Sequence, residues 1–147
     1  MMTCGEFAGL LQKAAIAARK ELIVPTEAVM AAAETAAKSY IGNYQDGWPV
    51  LAESTIVEKN RLGYAPPDNP LLREGAMRDS IAHLAALSGE GAEGVVYSDS
   101  KIALYQETGT DRIPPRPFLA LALFHSEPLI SKLFGEFAEQ ILTGKIT

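Results

Sequence analysis

The chain has 147 residues, of which 48% are hydrophobic, and a formal net charge of -5. This length suits a single domain with a sizeable core. The acidic balance argues against a general attraction to nucleic acid or anionic membranes, and the lone Cys4 excludes an internal disulfide or a cysteine-built metal site. We expect one soluble domain over 1–147, with no secretory signal and no run approaching the ~20 apolar residues of a membrane helix.

Residues 1–42 are predicted to form a helical N-terminal region. Apolar side chains recur there at steps of three and four, which places one stripe on a first helix that ends before Pro25: Phe7, Leu10, Leu11, Ala14, Ala18 and Leu22. Thr26 is expected to cap a second helix, rich in alanine. That helix is either an ordinary surface helix, which we favour, or one that packs closely against another helix, including one of a second subunit.

Residues 43–70 are predicted to form a long irregular loop, because Gly, Pro, Asn and Asp concentrate there. A short helix is expected within it, around Glu53 to Lys59. Long loops in compact domains are commonly functional or mobile. Trp48, in the first part of this segment, is a core anchor or an interface hot spot, and we favour the anchor.

Residues 71–147 are predicted to hold a small sheet and a C-terminal helix. Weak alternation in DSIAHLAALS, followed by EGVVYS, indicates a hairpin near 79–98. One or two helical turns at 101–108 should be closed by Gly109. Ser126 should cap the last helix, with Pro128 in its first turn, and the buried stripe of that helix is expected to contain Leu129, Ile130, Leu133, Phe134, Phe137, Ile141 and Leu142. The predicted fold class is α+β, a small antiparallel sheet packed with N-terminal and C-terminal helices.

Candidate chemistry is sparse in this sequence. GEGAEG at 89–94 has the spacing of a dinucleotide-binding loop, but a strand-like VVYS follows it, so we favour a hairpin turn. His83 and His125 have no neighbours at metal-ligand or nucleophile–base spacing. Glu107 is favoured as an acceptor for backbone amides near a turn rather than as a catalytic acid. We therefore predict that the chain is not an enzyme and uses no cofactor or metal.

The segment Pro114-Pro115-Arg116-Pro117 is stiff, because each proline fixes φ and removes a backbone donor. Its PxxP spacing also suits peptide-binding grooves. We favour a strut over a docking peptide, because the apolar run FLALALF follows directly. In that interpretation the segment ends a short helix, holds Arg116 outward and delivers Phe118 and Leu119 into the core.

Three blocks carry a resemblance to a known family: GWPVLAESTIVEK at 47–59, LLREGAMRDSI at 71–81 and ALYQETGTDRIPPRPFLALA at 103–122. In this order they resemble the neck or tail-completion proteins of lambdoid and Mu-like phages and prophages, also described as virion morphogenesis proteins or minor tail components. The resemblance implies a non-enzymatic virion component, made in the bacterial host cytoplasm, that assembles as a ring at the head–tail junction or tail terminus. It would contact itself and tail-tube or connector proteins, with no specific nucleic-acid sequence and no membrane.

Carried over position by position, the resemblance implies structural roles for Trp48, Gly75, Arg78, Ser80, Tyr105, Glu107, Gly109, Pro115, Pro117 and Phe118. Arg112 and Arg116 are the candidate interface residues. The sequence departs from the family pattern at Glu74, Met77, Ile102 and Thr108, which puts the choice of partner in doubt more than the fold. The alternative function is a non-enzymatic interaction module that presents Pro114–Pro117 to a partner domain.

Overall fold

The computed structural model describes residues 3–89 and 91–145. Along the chain the elements are α1 (Cys4–Glu21), α2 (Ile23–Tyr40), α3 (Glu53–Arg61), α4 (Ala76–Asp79), β1 (Ile81–Ser88), β2 (Gly91–Ser98), α5 (Lys101–Thr108), α6 (Leu119–His125) and α7 (Glu127–Leu142). The fold class is α+β, as predicted, with helices before and after a two-stranded antiparallel sheet.

The hairpin β1–β2 pairs residue for residue from Ile81 with Ser98 to Ser88 with Gly91. One face of it lies on α2. Gly94 faces α2 so closely that a Cβ atom there would lie 2.4 Å from Cγ of Met30, which explains a glycine inside a strand. GEGAEG therefore belongs to a hairpin, as we favoured; Glu90 of this motif lies outside the described residues.

The core is built around α2, in which two alanines are fully buried. Ala33 and Ala37 have no exposed surface, and Val29 and Ile41 are also buried. The helix contacts the hairpin on one side and α6 and α7 on the other. The preference for an ordinary surface helix was therefore wrong: small side chains let α2 lie close to its neighbours within its own chain.

The start of α2 differs from the prediction at Thr26. The first helix ends before Pro25, as expected, but α2 already begins at Ile23 and Pro25 lies in its first turn, where no amide donor is needed. Thr26 therefore cannot be the cap. Its hydroxyl instead donates to the carbonyl of Leu22 at 2.8 Å.

Hydrogen bonds between its own residues hold the long segment between α2 and α4 in place. The predicted short helix is present as α3. Gly42 N donates to the carbonyl of Pro70 at 2.8 Å, and the buried ammonium of Lys59 donates to the carbonyl of Asn69 at 2.6 Å. Burial lowers the pKa of Lys59, with a further lowering from Arg73 and an opposing effect from Asp68.

The first and last helices bury less than their patterns predict. α1 begins with a capping box between Thr3 and Glu6, yet it contains no buried residue. α7 begins one residue after Ser126 with Pro128 in its first turn, as expected, but the Ser126 hydroxyl donates to the carbonyl of Ala122 instead of capping. Its predicted stripe is half-buried at most, and Ile130 and Leu142 are exposed.

Candidate functional site

The first and third blocks of the resemblance meet in one joint, formed by α5, the proline loop at 109–118, the start of α6 and the Trp48 loop. α5 spans Lys101–Thr108 and is closed by Gly109, as the sequence predicted. Gly109 has φ of 75°, and a Cβ atom there would lie 2.9 Å from Cδ of Pro115. Gly109 is thus required both by its left-handed backbone and by the proline packed against it.

Glu107 joins α5 to α6. Its Oε2 accepts hydrogen bonds from the amides of Phe118 at 2.8 Å and Leu119 at 3.0 Å, and its Oε1 accepts from the amide of Ala120 at 2.8 Å. These are amides of the first turn of α6, which have no acceptor within their own helix. The predicted role of Glu107 as a backbone-amide acceptor is confirmed, and its negative charge also suits a helix N-terminus.

Arg116 contradicts the expectation that it points outward. It is 4% exposed, and its guanidinium donates from Nε at 3.1 Å and from Nη2 at 2.9 Å to the carbonyl of Pro49. Nη2 also lies 3.2 Å from the carbonyl of Val50. The side chain turns inward because the loop after Trp48 presents two carbonyls without strand or helix partners. Arg116 is therefore an internal brace of this subunit and no longer a candidate interface residue, whereas Arg112 lies on the exposed part of the proline loop.

The proline segment is a strut, as we favoured. Phe118 is fully buried and Leu119 packs against the core. The amide of Arg116 donates to the carbonyl of Gln106 at 2.7 Å, which fixes the return of the loop onto α5. Trp48 is 9% exposed and belongs to the same core, so it is an anchor; its indole N–H has no acceptor among the described residues.

The second block of the resemblance forms the entrance to the hairpin. Gly75 is buried with φ of 88° and starts α4. Ser80 connects the two strand ends, since its hydroxyl lies 2.6 Å from that of Ser98 and donates to the carbonyl of Met77 at 2.7 Å. Arg78 is exposed and paired with Asp79, and Tyr105 is also about half exposed. The motif residues thus stabilise two joints rather than line a pocket.

A titratable cluster holds the hairpin on α2. The two ring nitrogens of His83 bind the carboxylates of Glu34 and Glu27, the latter at 2.9 Å from Nε2. The hydrogen bond to Glu34, then that to Glu27, raises the pKa of His83. Bonds from Lys38 and His83 lower the pKa of Glu34. His83 is thus a structural residue, as expected, and the cluster is a set of internally satisfied ion pairs.

The described surface offers little for small-molecule chemistry. A groove of about 190 Å³ lies between the start of α2 and α7, with Val24, Pro25, Leu133 and Phe137 among its lining residues. Among residues 3–89 and 91–145, no group of His, Cys, Asp and Glu is placed to hold a metal ion. Within the same ranges, no helix combines the length and apolarity needed to cross a bilayer.

Large apolar side chains on the surface are the feature that the sequence reasoning missed. The stripe of α1 is about half exposed at Phe7, Leu10 and Leu11, and the free face of the hairpin exposes Leu84, Val95 and Tyr97. The regular spacing in α1 is visible in the sequence as one stripe of a helix. Nothing in a helical period distinguishes a stripe buried within the subunit from one left for a partner.

Comparison with known proteins gives no match: no family model, no curated protein and no solved structure matches the chain.

Proposed function

We propose that the chain is a non-enzymatic structural protein of a phage or prophage virion, the subunit of an oligomeric ring at the head–tail junction or tail terminus. The observation that carries the proposal is the large solvent-accessible surface of the chain. The chain exposes 9731 Å², whereas a compact monomer of 15.8 kDa should expose about 7,300 Å². By the same relation the excess is roughly 2,400 Å².

This excess is large enough for stable self-association. A standard interface removes about 800 Å² from each partner, and a ring subunit has two neighbours, which requires about 1,600 Å². Large apolar side chains are exposed on α1 and on the free face of the hairpin. Monomeric soluble proteins seldom leave such faces uncovered, so a second copy supplies the cover that the single subunit lacks.

The class of assembly comes from the resemblance to neck and tail-completion proteins. Its residues form braced internal joints, with Glu107 holding α6 and Arg116 holding the Trp48 loop. Such joints suit a subunit whose rigid shape must fit a fixed ring. The net charge of -5 also suits a channel through which DNA passes without sticking.

The test measures mass against concentration by multi-angle light scattering, with the tail-tube or connector protein added in a second series. We expect multiples of 15.8 kDa and rings under negative-stain microscopy. Leu10→Glu should weaken association roughly tenfold or more, since burial of one leucine stabilises by about 1.5–3 kcal/mol. Gln12→Glu, the control, adds the same charge away from the apolar stripe. A strict monomer that binds neither virion protein would exclude the proposal.

The alternative of a module that presents Pro114–Pro117 is weaker. Pro114 and Pro115 are exposed, but Arg116 and Phe118 are buried. A groove that reads a PxxP segment needs its side chains accessible. Presentation to a partner domain would therefore require the loop to leave α5 and lose its hydrogen bonds.

A further inference from the structure

Both edges of the hairpin are open. Within 3–89 and 91–145 the sheet contains β1 and β2 only, so each strand has one side without a neighbouring strand in this part of the chain. Among the described residues, the backbone groups of 82–97 make hydrogen bonds only within the β1–β2 ladder. In an antiparallel pair about every second residue directs its N–H and C=O away from the partner, so each edge presents a row of unpaired donors and acceptors.

These edges also lack the features that normally prevent strand addition. Natural edge strands are protected by lysine, proline, bulges or short length. β1 contains none of the residues Lys, Arg, Asp, Glu or Pro, and β2 has Glu93 as its single charged side chain. The pairing is continuous over eight residues of each strand without a bulge. His83 is the one titratable side chain of β1, and it is engaged by Glu27 and Glu34 of α2.

We propose that the hairpin pairs edge to edge with the hairpin of a second copy, β2 of one subunit lying beside β1 of the next. The inference rests on the proposed ring function and names the surface through which the ring forms. Each chain supplies one edge of each kind, so every edge in the assembly is paired when the ring closes. Contacts of this head-to-tail type generate rings.

A second copy suits these edges better than a foreign strand. The two strands have the same length of eight residues. β1 carries no carboxylate and β2 carries one, so no register places like charges opposite each other. Rotation about an axis that runs roughly along the strands preserves strand direction, so each junction between subunits is antiparallel, as within the hairpin. The free faces then align, and Leu84, Val95 and Tyr97 of adjacent copies pack side by side.

Amide hydrogen exchange on the unmodified protein tests the proposal, with residue-level readout of 81–98 at low and high protein concentration. In the dilute monomer, alternate amides of each strand should exchange quickly while the ladder amides are protected. In the assembled fraction, the fast set should become protected on both strands. This result would support edge pairing.

Three other results would overturn it, and they are distinguishable. Assembly with edge amides that still exchange quickly would exclude edge pairing and leave the ring proposal intact. A strict monomer, with or without tail-tube and connector proteins, would exclude both. Protection that appears only in a complex of one subunit with a different protein would assign the edge to a foreign strand.

A lysine variant supplies a second readout. Leu84 lies in the middle of β1 on the free face and is 54% exposed, so Leu84→Lys should leave the monomer folded by circular dichroism while it lowers the assembled fraction. Val57→Lys, at a 61% exposed position on α3, is the matched control away from the hairpin. An unchanged assembled fraction in Leu84→Lys would count against the pairing.

Discussion

The guanidinium of Arg116 donates to the backbone carbonyl of Pro49, 67 residues earlier in the chain, from Nε at 3.1 Å and from Nη2 at 2.9 Å. This contact attaches the proline loop to the Trp48 loop, so two blocks that carry the family resemblance are joined through one side chain. Because Arg116 is buried, its charge is stabilised by carbonyl dipoles rather than by water.

Arg116→Ala should destabilise the folded monomer. The change removes the hydrogen bonds from the guanidinium to the carbonyls of Pro49 and Val50, and a hydrogen bond to a charged group contributes about 1.5–3 kcal/mol. Arg116→Lys should be intermediate, because an ammonium cannot reproduce the planar fork. Urea denaturation measures the effect, with Arg112→Ala as the exposed control, expected within about 0.5 kcal/mol of the unmodified protein. Equal stability of Arg116→Ala and Arg112→Ala would show that the brace contributes nothing.

Glu107→Ala should loosen the start of α6. Three amides lose their acceptor, and loss of a capping group typically costs about 0.5–2 kcal/mol. Glu107→Gln retains one acceptor oxygen, so it should lose less stability than Glu107→Ala. It should still lose some, because its amide group turns a donor toward the helix. The site-specific readout is hydrogen exchange at residues 118–120, which should accelerate in both variants. Unchanged exchange there, with lower global stability, would contradict the capping role.

Local signals explain which parts of the fold were predictable. Three features depend only on a few adjacent residues, and the structure confirms each of them: the helix 101–108, its end at Gly109 and the hairpin. The role of Glu107 also follows from its place beside a turn. The orientation of Arg116 could not be predicted, because its acceptors belong to a distant loop whose carbonyls become neighbours only in the folded chain.

The difference between local patterns and long-range contacts also applies to the apolar faces of α1 and α2. A stripe at helical spacing predicts a buried face without naming the chain that buries it. Ala33 and Ala37 of α2 are buried within the subunit, while the longer side chains of α1, drawn from an equally regular pattern, are not. Only the folded arrangement separates a helix whose stripe is buried in its own subunit from one whose stripe stays exposed.

Phe118→Ala should be the most destabilising of the substitutions considered. The ring is fully buried, and removal of a buried phenylalanine side chain costs about 3–5 kcal/mol. Phe124→Ala is the matched control, since that ring is 68% exposed six residues later in the same region. Thermal unfolding at low protein concentration measures both. Similar melting temperatures for the two variants would refute the role of the proline segment in delivering Phe118 to the core.

The stability of the hairpin on α2 should depend on pH through His83. Hydrogen bonds to Glu34 and Glu27 raise the pKa of His83 in the folded state, so folding favours its protonated form. The resulting stabilisation is fully present below the unfolded pKa of about 6.5 and is lost as pH rises through the raised folded value. The pKa of Glu34 is lowered, mainly by the hydrogen bond from Lys38. Its contribution to folding stability is therefore lost as pH falls through that lowered value, the opposite direction to that of His83.

Denaturant unfolding from pH 5 to 9 measures this dependence, with His83→Gln as the variant. Gln keeps hydrogen-bonding capacity but does not titrate, so the decline of stability above about pH 6.5 should be reduced. His125→Gln is the control, because His125 lies near Tyr40, away from the hairpin. If His83→Gln leaves the slope above that pH unchanged, the ion pairs with α2 do not link folding to protonation.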